Sequence, residues 1–381
     1  MSTESIEMKT FDQVFDRAYE EKRPDFDAHV NIALVGKVSA GKSSLLNALF
    51  LCKREDPIAE VGARSGVTTR IIAYKFEDDV LVIDCPGLDD LKTENSEETK
   101  AFIKSIDLGV FVVTGSADAT QKENFDTLRV NSKNCVVVLN KVDEWDDLED
   151  SARVAVVDQW RSALGVNKIF ETCTKGYDPA MRQSAPMDIR GVDELRNHLF
   201  IFLKREKKDI LLARHLKNKE AYATSIIVSA LALVAGEAFI PGSAAYITAT
   251  QIIAITSLNY LYTGEVLNKG SVLRMLPGFA GESLGTTAFL WAKSFLPPTF
   301  VLDVAAAGIA VVITFAMLAA VKWLLEHGHT LLEKDELKRA FRFFNEAGVD
   351  FKGLTISALK DRKSLLALVE RILKRSAANY T

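Results

Sequence analysis

Val30-Asn31-Ile32-Ala33-Leu34-Val35-Gly36-Lys37-Val38-Ser39-Ala40-Gly41-Lys42-Ser43-Ser44-Leu45-Leu46-Asn47-Ala48-Leu49 runs from an apolar strand pattern through a glycine-bearing loop into a helical pattern. Residues 36 to 43 have the form G-x-x-x-x-G-K-S, and strand, loop and helix follow in the order that a phosphate cradle needs. Backbone N–H groups of such a loop, and of the helix N-terminus behind it, can point at phosphate oxygens. Gly36, Ser39, Ala40, Gly41, Lys42, Ser43 and Ser44 are therefore expected at a phosphate site, with Lys42 as a point charge on the β and γ groups and Ser43 as a Mg²⁺ ligand. A glycine turn that fits the pattern by chance is the competing reading, and the rest of the chain decides between them.

Outward from this stretch, strand and helix patterns alternate to about residue 203. The pattern predicts strands at 30–35, 70–76, 79–84, 108–114, 135–139 and 168–172, and helices at 42–52, 96–105, 119–131, 148–163 and 192–203. Val80-Leu81-Val82-Ile83 and Val136-Val137-Val138-Leu139 are continuous and β-branched, as strands buried on both faces are. The expected fold class is α/β: a doubly wound domain over 29–203 with a mostly parallel six-stranded sheet, followed by an all-α hydrophobic helical domain. Its ligand belongs in the loops at the carboxyl ends of the strands. Ahead of it, within residues 1–28, Ile6, Phe11, Val14, Phe15 and Ala18 fall at helical spacing, so a short amphipathic helix comes first.

Two of those loops carry further motifs. Asp84-Cys85-Pro86-Gly87 ends the third strand, where an aspartate can hold Mg²⁺ through water and the Gly87 N–H can reach a γ-phosphate. By itself D-x-x-G is usually only a turn. Asn140-Lys141-Val142-Asp143 ends the fifth strand, and the Asp143 carboxylate can accept two hydrogen bonds from the N1 and N2 edge of guanine, which adenine cannot supply. The order and spacing of the three motifs make coincidence a poor account.

Together, Gly36 to Ser43, Asp84 to Gly87 and Asn140 to Asp143 resemble the G1, G3 and G4 boxes of the translation-factor-like P-loop GTPases, which include the Era-like and dynamin-like groups. The resemblance covers about residues 29 to 203. It implies a substrate, GTP, held with Mg²⁺, and a G2 threonine within Gly66-Val67-Thr68-Thr69-Arg70, with Thr69 preferred and Thr68 the alternative. Cys173-Thr174-Lys175-Gly176 then stands where these GTPases have a Ser-Ala-Lys box, so Thr174 and Lys175 join Asn140, Lys141 and Asp143 at the base, with cysteine and threonine departing from the pattern. The implied catalytic set is Lys42, Ser43, Thr69, Gly87 and Ser39, with Ser43, Thr69 and Asp84 around the metal. Leu88 occupies the place of the glutamine that orients water in Ras-like enzymes, which implies slow intrinsic hydrolysis. Ser39 stands where potassium-activated relatives have asparagine, whereas dynamin-like proteins with serine there hydrolyse GTP across a dimer. Arg64 and Arg70 are candidate arginine fingers, with solvated loop charges as the plainer reading.

Composition divides the 381 residues differently. Residues 1 to 203 carry 25 Lys+Arg against 36 Asp+Glu, which argues against a nucleic-acid surface there. Residues 204 to 220 carry 7 against 3, residues 221 to 321 only seven charges in all, and residues 322 to 381 carry 12 against 8. Basic segments on both sides of an apolar block suit an anionic membrane face. Cys52, Cys85, Cys135 and Cys173 have no metal-ligand spacing and read as reduced cytosolic thiols, and the first ten residues do not read as a secretory signal.

The sparsely charged block can be drawn as two helical hairpins, 221–239 with 242–262 and 279–296 with 299–321, turning at Phe239-Ile240-Pro241-Gly242 and Phe295-Leu296-Pro297-Pro298. Each segment is about as long as a bilayer span, which needs about 20 residues, and Lys322-Trp323 reads as an interfacial pair. Their Ala, Gly, Ser and Thr content suits a tightly packed soluble bundle equally. The block resembles the uncharacterised helical domain after bacterial Era-like GTPases and, distantly, that of immunity-related GTPases. Residues 204–329 are thus expected to form a basic linker helix with a membrane-associated domain, and 330–381 amphipathic basic helices. The expected function is a GTPase, cytoplasmic in its G domain, coupling nucleotide state to membrane association, homodimerisation through that domain, or remodelling. The alternative is a soluble Era-like switch acting on a protein or ribosome partner, and a scaffold with negligible turnover is a third reading.

Overall fold

The computed structural model describes residues 3–61, 71–85, 97–117, 119–178, 180–182, 184–240, 242–280, 300–351, 358–359, 361–377 and 380. They form two compact units. One spans Asp25–Asn218, and the other joins Met1–Pro24 to Lys219–Thr381. The division after Asn218 lies beyond the composition boundary at 203/204, so the first part of the basic segment belongs to the sheet-bearing unit.

Helix α1 (Thr3–Lys22) belongs to the helical unit. The sheet unit then runs β1 (Val30–Val35), α2 (Lys42–Leu49), β2 (Ile72–Phe76), β3 (Val80–Cys85), α3 (Glu97–Lys104), β4 (Ile106–Val113), α4 (Ala119–Asn131), β5 (Ser132–Asn140), α5 (Asp150–Leu164), β6 (Phe170–Lys175), β7 (Asp188–Arg190), α6 (Val192–Arg205) and α7 (Asp209–Arg214). The strand order is β2-β3-β1-β4-β5-β6-β7, with antiparallel pairs only at the two edges. The sheet therefore has seven strands, not six. Asp188-Ile189-Arg190 is too short to give a strand pattern, and its pairing with Cys173 to Lys175 defines it.

Parallel register positions the site. Val35 lies beside Cys85 and Phe111, and Asn140 beside Thr172, so the carboxyl ends of β1, β3, β5 and β6 lie along one edge of the sheet. All eight residues of β4 are buried, and Phe111, Phe125, Trp160 and Leu139 are among those filling one face of the sheet. Trp160 also donates its indole N–H to the Gly115 carbonyl at 2.8 Å, satisfying the one polar atom of a fully buried ring.

The helical unit adds α8 (Glu220–Glu237), α9 (Ser243–Thr263), α10 (Lys269–Ala280), α11 (Phe300–Glu326), α12 (Lys334–Ala347) and α13 (Arg362–Ala377). Helix α9 packs against α1, α8, α10 and α11, and is buried along nearly its whole length. Two of its buried polar side chains are paired inside, Thr250 with Glu237 at 2.8 Å and Gln251 with Thr314 at 2.8 Å. The first expected hairpin corresponds to α8 and α9. Its Pro241, the segment 281–299 with Glu282 and Lys293, and the second proline turn lie outside the described residues. Lys322, read from sequence as an interfacial residue, is instead buried and bonded to Glu326 at 2.6 Å, while Trp323 stacks on His327 at 4.3 Å. Among the described residues, α8 and the Ala307–Glu326 part of α11 are long and apolar enough to cross a membrane.

Candidate nucleotide site

Gly36 leaves β1 against the backbone of β4. A Cβ there would lie 2.2 Å from the Val112 carbonyl oxygen, so only glycine lets the loop begin at this point. The loop closes at Gly41, whose φ of 84° is the left-handed conformation that glycine adopts without strain and that starts α2. Ser39 also takes a positive φ, 65°. Behind it Lys42, although charged, is only 3% exposed. Its ammonium donates to the carbonyls of Gly36 at 2.8 Å and Lys37 at 3.1 Å, and stands 3.6 Å from Asp84 Oδ1.

Asp84 is the electrostatic centre of this end. It is 1% exposed, and Ser43 Oγ donates to its Oδ2 at 3.4 Å. The other carboxylate oxygen, Oδ1, is buried with no hydrogen-bond partner among the described residues. Burial pushes the Asp84 carboxyl up from the ordinary aspartate range, against the pull of the Lys42 charge. An orphaned carboxylate oxygen beside a hydroxyl is a donor set that fits Mg²⁺, a hard cation that takes oxygen ligands. Ser43 and Asp84 would hold it. Tyr74, which the sequence reading did not include, joins them from β2; burial and the Asp84 charge push its phenol up to about 12. Its only sequence signal is the alternation Ile72, Tyr74, Phe76 on one face of a strand.

The other end is assembled from β5 and β6. Asn140 is fully buried, and its amide donates to the Ala40 carbonyl at 3.0 Å while its carbonyl accepts the Thr172 hydroxyl at 3.0 Å. Thr174 Oγ1 lies 3.2 Å from the same amide nitrogen. Asp143 faces Lys175 Nζ at 3.3 Å and Cys173 Sγ at 3.3 Å. The thiol also lies 3.1 Å from the Asp188 carbonyl, and burial raises its pKa to about 11, so it stays protonated as a donor. The cysteine and threonine that depart from the Ser-Ala-Lys pattern thus both find partners at Asp143 and Asn140. Lys141 has a φ of 64° and lies 3.7 Å from Glu144.

One cleft of about 540 Å³ connects the two ends. Ser39, Gly41, Lys42, Ser43 and Ser44 line it on the phosphate side, and Asn140, Lys141, Asp143, Thr174 and Lys175 on the base side. Gly36 and Ala40 support the loop from beneath it. Two further walls complete it: Ile58, Glu60 and Val61 come from the stretch 53–69, which the same family resemblance implies as a switch region, and Asp178 and Met181, which carry no motif, were missed by sequence reasoning. Thr68, Thr69, Arg64, Arg70, Gly87 and Leu88 lie outside the described residues.

Residues 31–141 match the family described as 50S ribosome-binding GTPase. The sheet unit has the P-loop GTPase fold, and the matched family is one of GTP-hydrolysing enzymes. The GTPase Era of Campylobacter lari is 35% identical over 139 residues, 34% of this chain and 46% of that protein. The tRNA modification GTPase MnmE of Helicobacter pylori strain J99 is 35% identical over 124 residues, 31% of this chain and 27% of that protein. The chain thus spans less than half the length of these curated relatives.

Proposed function

We propose that this chain binds GTP together with Mg²⁺ and hydrolyses it to GDP and phosphate. The observation that carries the reading is a single cleft lined by the buried Lys42 and by Ser43 at one end, with the buried Asp84 bonded to both behind them, and by the paired Asp143 at the other. Lys42 binds the β and γ phosphates, and Ser43 and Asp84 would hold Mg²⁺, which when bound would supply positive charge against that developing on the transferred group. Asp143 accepts from the guanine edge, and Asn140 acts through the loop by fixing Ala40 and Gly41. Thr69 and Gly87 are proposed as the γ-phosphate sensors, and Ser39 as the loop residue nearest a second copy during turnover. Asp143→Asn tests the base assignment, because an amide can donate to the 2-oxo group of xanthine. The variant should shift preference from GTP towards XTP, and unchanged GTP affinity would remove Asp143 from the base site.

For the output, the length and composition of α8 and α11 support association with a membrane. Burial of 50% of the α8 window and 78% of the α11 window supports helices that stay packed together, touching lipid from the outside of the unit. Release from membranes by alkaline carbonate, with a monodisperse detergent-free protein, is expected for that peripheral mode. Retention in the pellet would mean insertion, and no membrane fraction at all would favour the soluble switch. Homodimerisation through the GTPase domain is proposed as the activating step, and a specific activity independent of protein concentration would exclude it.

A further inference from the structure

Two walls of the nucleotide cleft come from outside the three phosphate- and base-binding motifs. Ile58, Glu60 and Val61 stand on one, and Asp178 and Met181 on the other. The first is fixed from below by the buried Asn47, whose Oδ1 accepts the N–H groups of Ile58 and Ala59, both at 2.8 Å, and whose Nδ2 donates to the Ala59 carbonyl at 2.7 Å. The second lies in the connection between β6 and β7. Hydrogen bonds among the described residues tie the two segments together. Arg54 donates through Nη1 to the Arg182 carbonyl at 3.1 Å and through Nη2 to the Ala185 carbonyl at 2.7 Å. The Tyr177 hydroxyl donates to the Cys52 carbonyl at 2.9 Å in a buried position.

We propose that Arg54 is a positioning residue for bound nucleotide: its forked guanidinium latches the 53–61 segment to the 177–185 segment and so slows nucleotide release. This rests on the guanine-nucleotide reading of the cleft. A ligand seated between the walls touches both, so separating them lowers its contact on two sides at once. The fork matters because one planar group spans two carbonyls of the opposite segment, which an ammonium on a flexible stem does not do. Both acceptors are backbone atoms, so the latch needs the side chain of Arg54 but not that of Arg182.

The test is the dissociation rate of a fluorescent GDP from the full-length chain with Mg²⁺, chased with excess GDP. Arg54→Ala is expected to release nucleotide on the order of tenfold faster, the scale set by losing charge-assisted hydrogen bonds. Arg54→Lys should be nearly as fast, Tyr177→Phe should give a smaller acceleration, and Arg182→Ala should match the native chain. The GTP-to-XTP preference should stay fixed in all four, which a general loosening of the fold would not leave intact. Circular dichroism identifies a misfolded Arg54→Ala, in which case Arg54→Lys and Tyr177→Phe decide. Native release rates in Arg54→Lys and Tyr177→Phe, or equal acceleration in Arg182→Ala, overturn the latch while leaving the Asp143 assignment standing. No GDP binding by the native chain overturns the nucleotide reading and the latch with it.

Discussion

The Asn140 amide nitrogen lies 3.0 Å from the carbonyl oxygen of Ala40, a bond that joins the base-side loop to the phosphate loop across the cleft. The same side chain accepts from Thr172 and Thr174, so one fully buried amide joins the phosphate loop and β6 to the end of β5. Asn140→Ala strands those groups, at a cost of about 1–3 kcal/mol in stability. The looser loop should also weaken GDP binding. Asn140→Asp, nearly isosteric, sets a carboxylate oxygen against the Ala40 carbonyl and should not rescue either property. Urea denaturation and GDP titration of the two variants check this, and native behaviour in Asn140→Asp would show that shape, not donation, matters.

Gly36→Ala should be harmful for a different reason. Its methyl group would fall 2.2 Å from a backbone carbonyl of β4, an atom that no rotamer change can move. Overpacking of this kind costs about 1–3 kcal/mol, and here the displaced element is a central strand. Thermal melts should show a lower midpoint, and GDP affinity should fall because the loop starts from a shifted strand end.

Alkaline pH should destabilise the sheet unit. Burial raises Cys135 from 9.0 to about 12 and Cys173 from 9.0 to about 11, and raises Tyr177 from 10.0 to about 12. Above pH about 9 an unfolded thiol has released a proton that the folded one still holds, so fewer protons are bound in the unfolded state and stability falls as pH rises. The contribution is complete below the unfolded values and lost through about 11 to 12. Urea midpoints between pH 8 and 11 should decline, and the decline should flatten in the Cys135→Ala, Cys173→Ser double variant. Parallel declines would clear the thiols.

The phosphate and base ends were legible because each motif sits where a continuous apolar strand stops, and parallel register carries Gly36, Asp84 and Asn140 to one edge. What the sequence could not convey depends on long-range pairing. The strand β7 exists through its bonds to β6, and Arg54 gains meaning only from carbonyls more than a hundred residues away. In the helical unit, α9 is buried on every side, so it has no amphipathic period to separate a packed core helix from a bilayer span. Lys322 reads as interfacial from its place at the end of an apolar run, and only the folded helix shows it buried and paired with Glu326 one turn on.

The last prediction concerns how α1 is held in the helical unit. Lys22 Nζ lies 2.5 Å from Glu237 Oε1, and the Glu237 carboxylate, 5% exposed in its side chain, also accepts the Thr250 hydroxyl. Lys22→Met would leave that carboxylate buried beside a single neutral donor, and breaking such a pair costs about 3–5 kcal/mol. Glu237→Gln should cost less, since the amide can still meet Thr250 and Lys22 can turn to water. Combining the two should recover part of the loss, because the double variant has no unpaired buried charge. If the single losses simply add, the two groups act independently and the pair does not anchor α1. Because α1 also packs on α9, the Lys22→Met loss should appear in the unfolding transition of the helical unit, and GDP affinity, set within Asp25–Asn218, should not change.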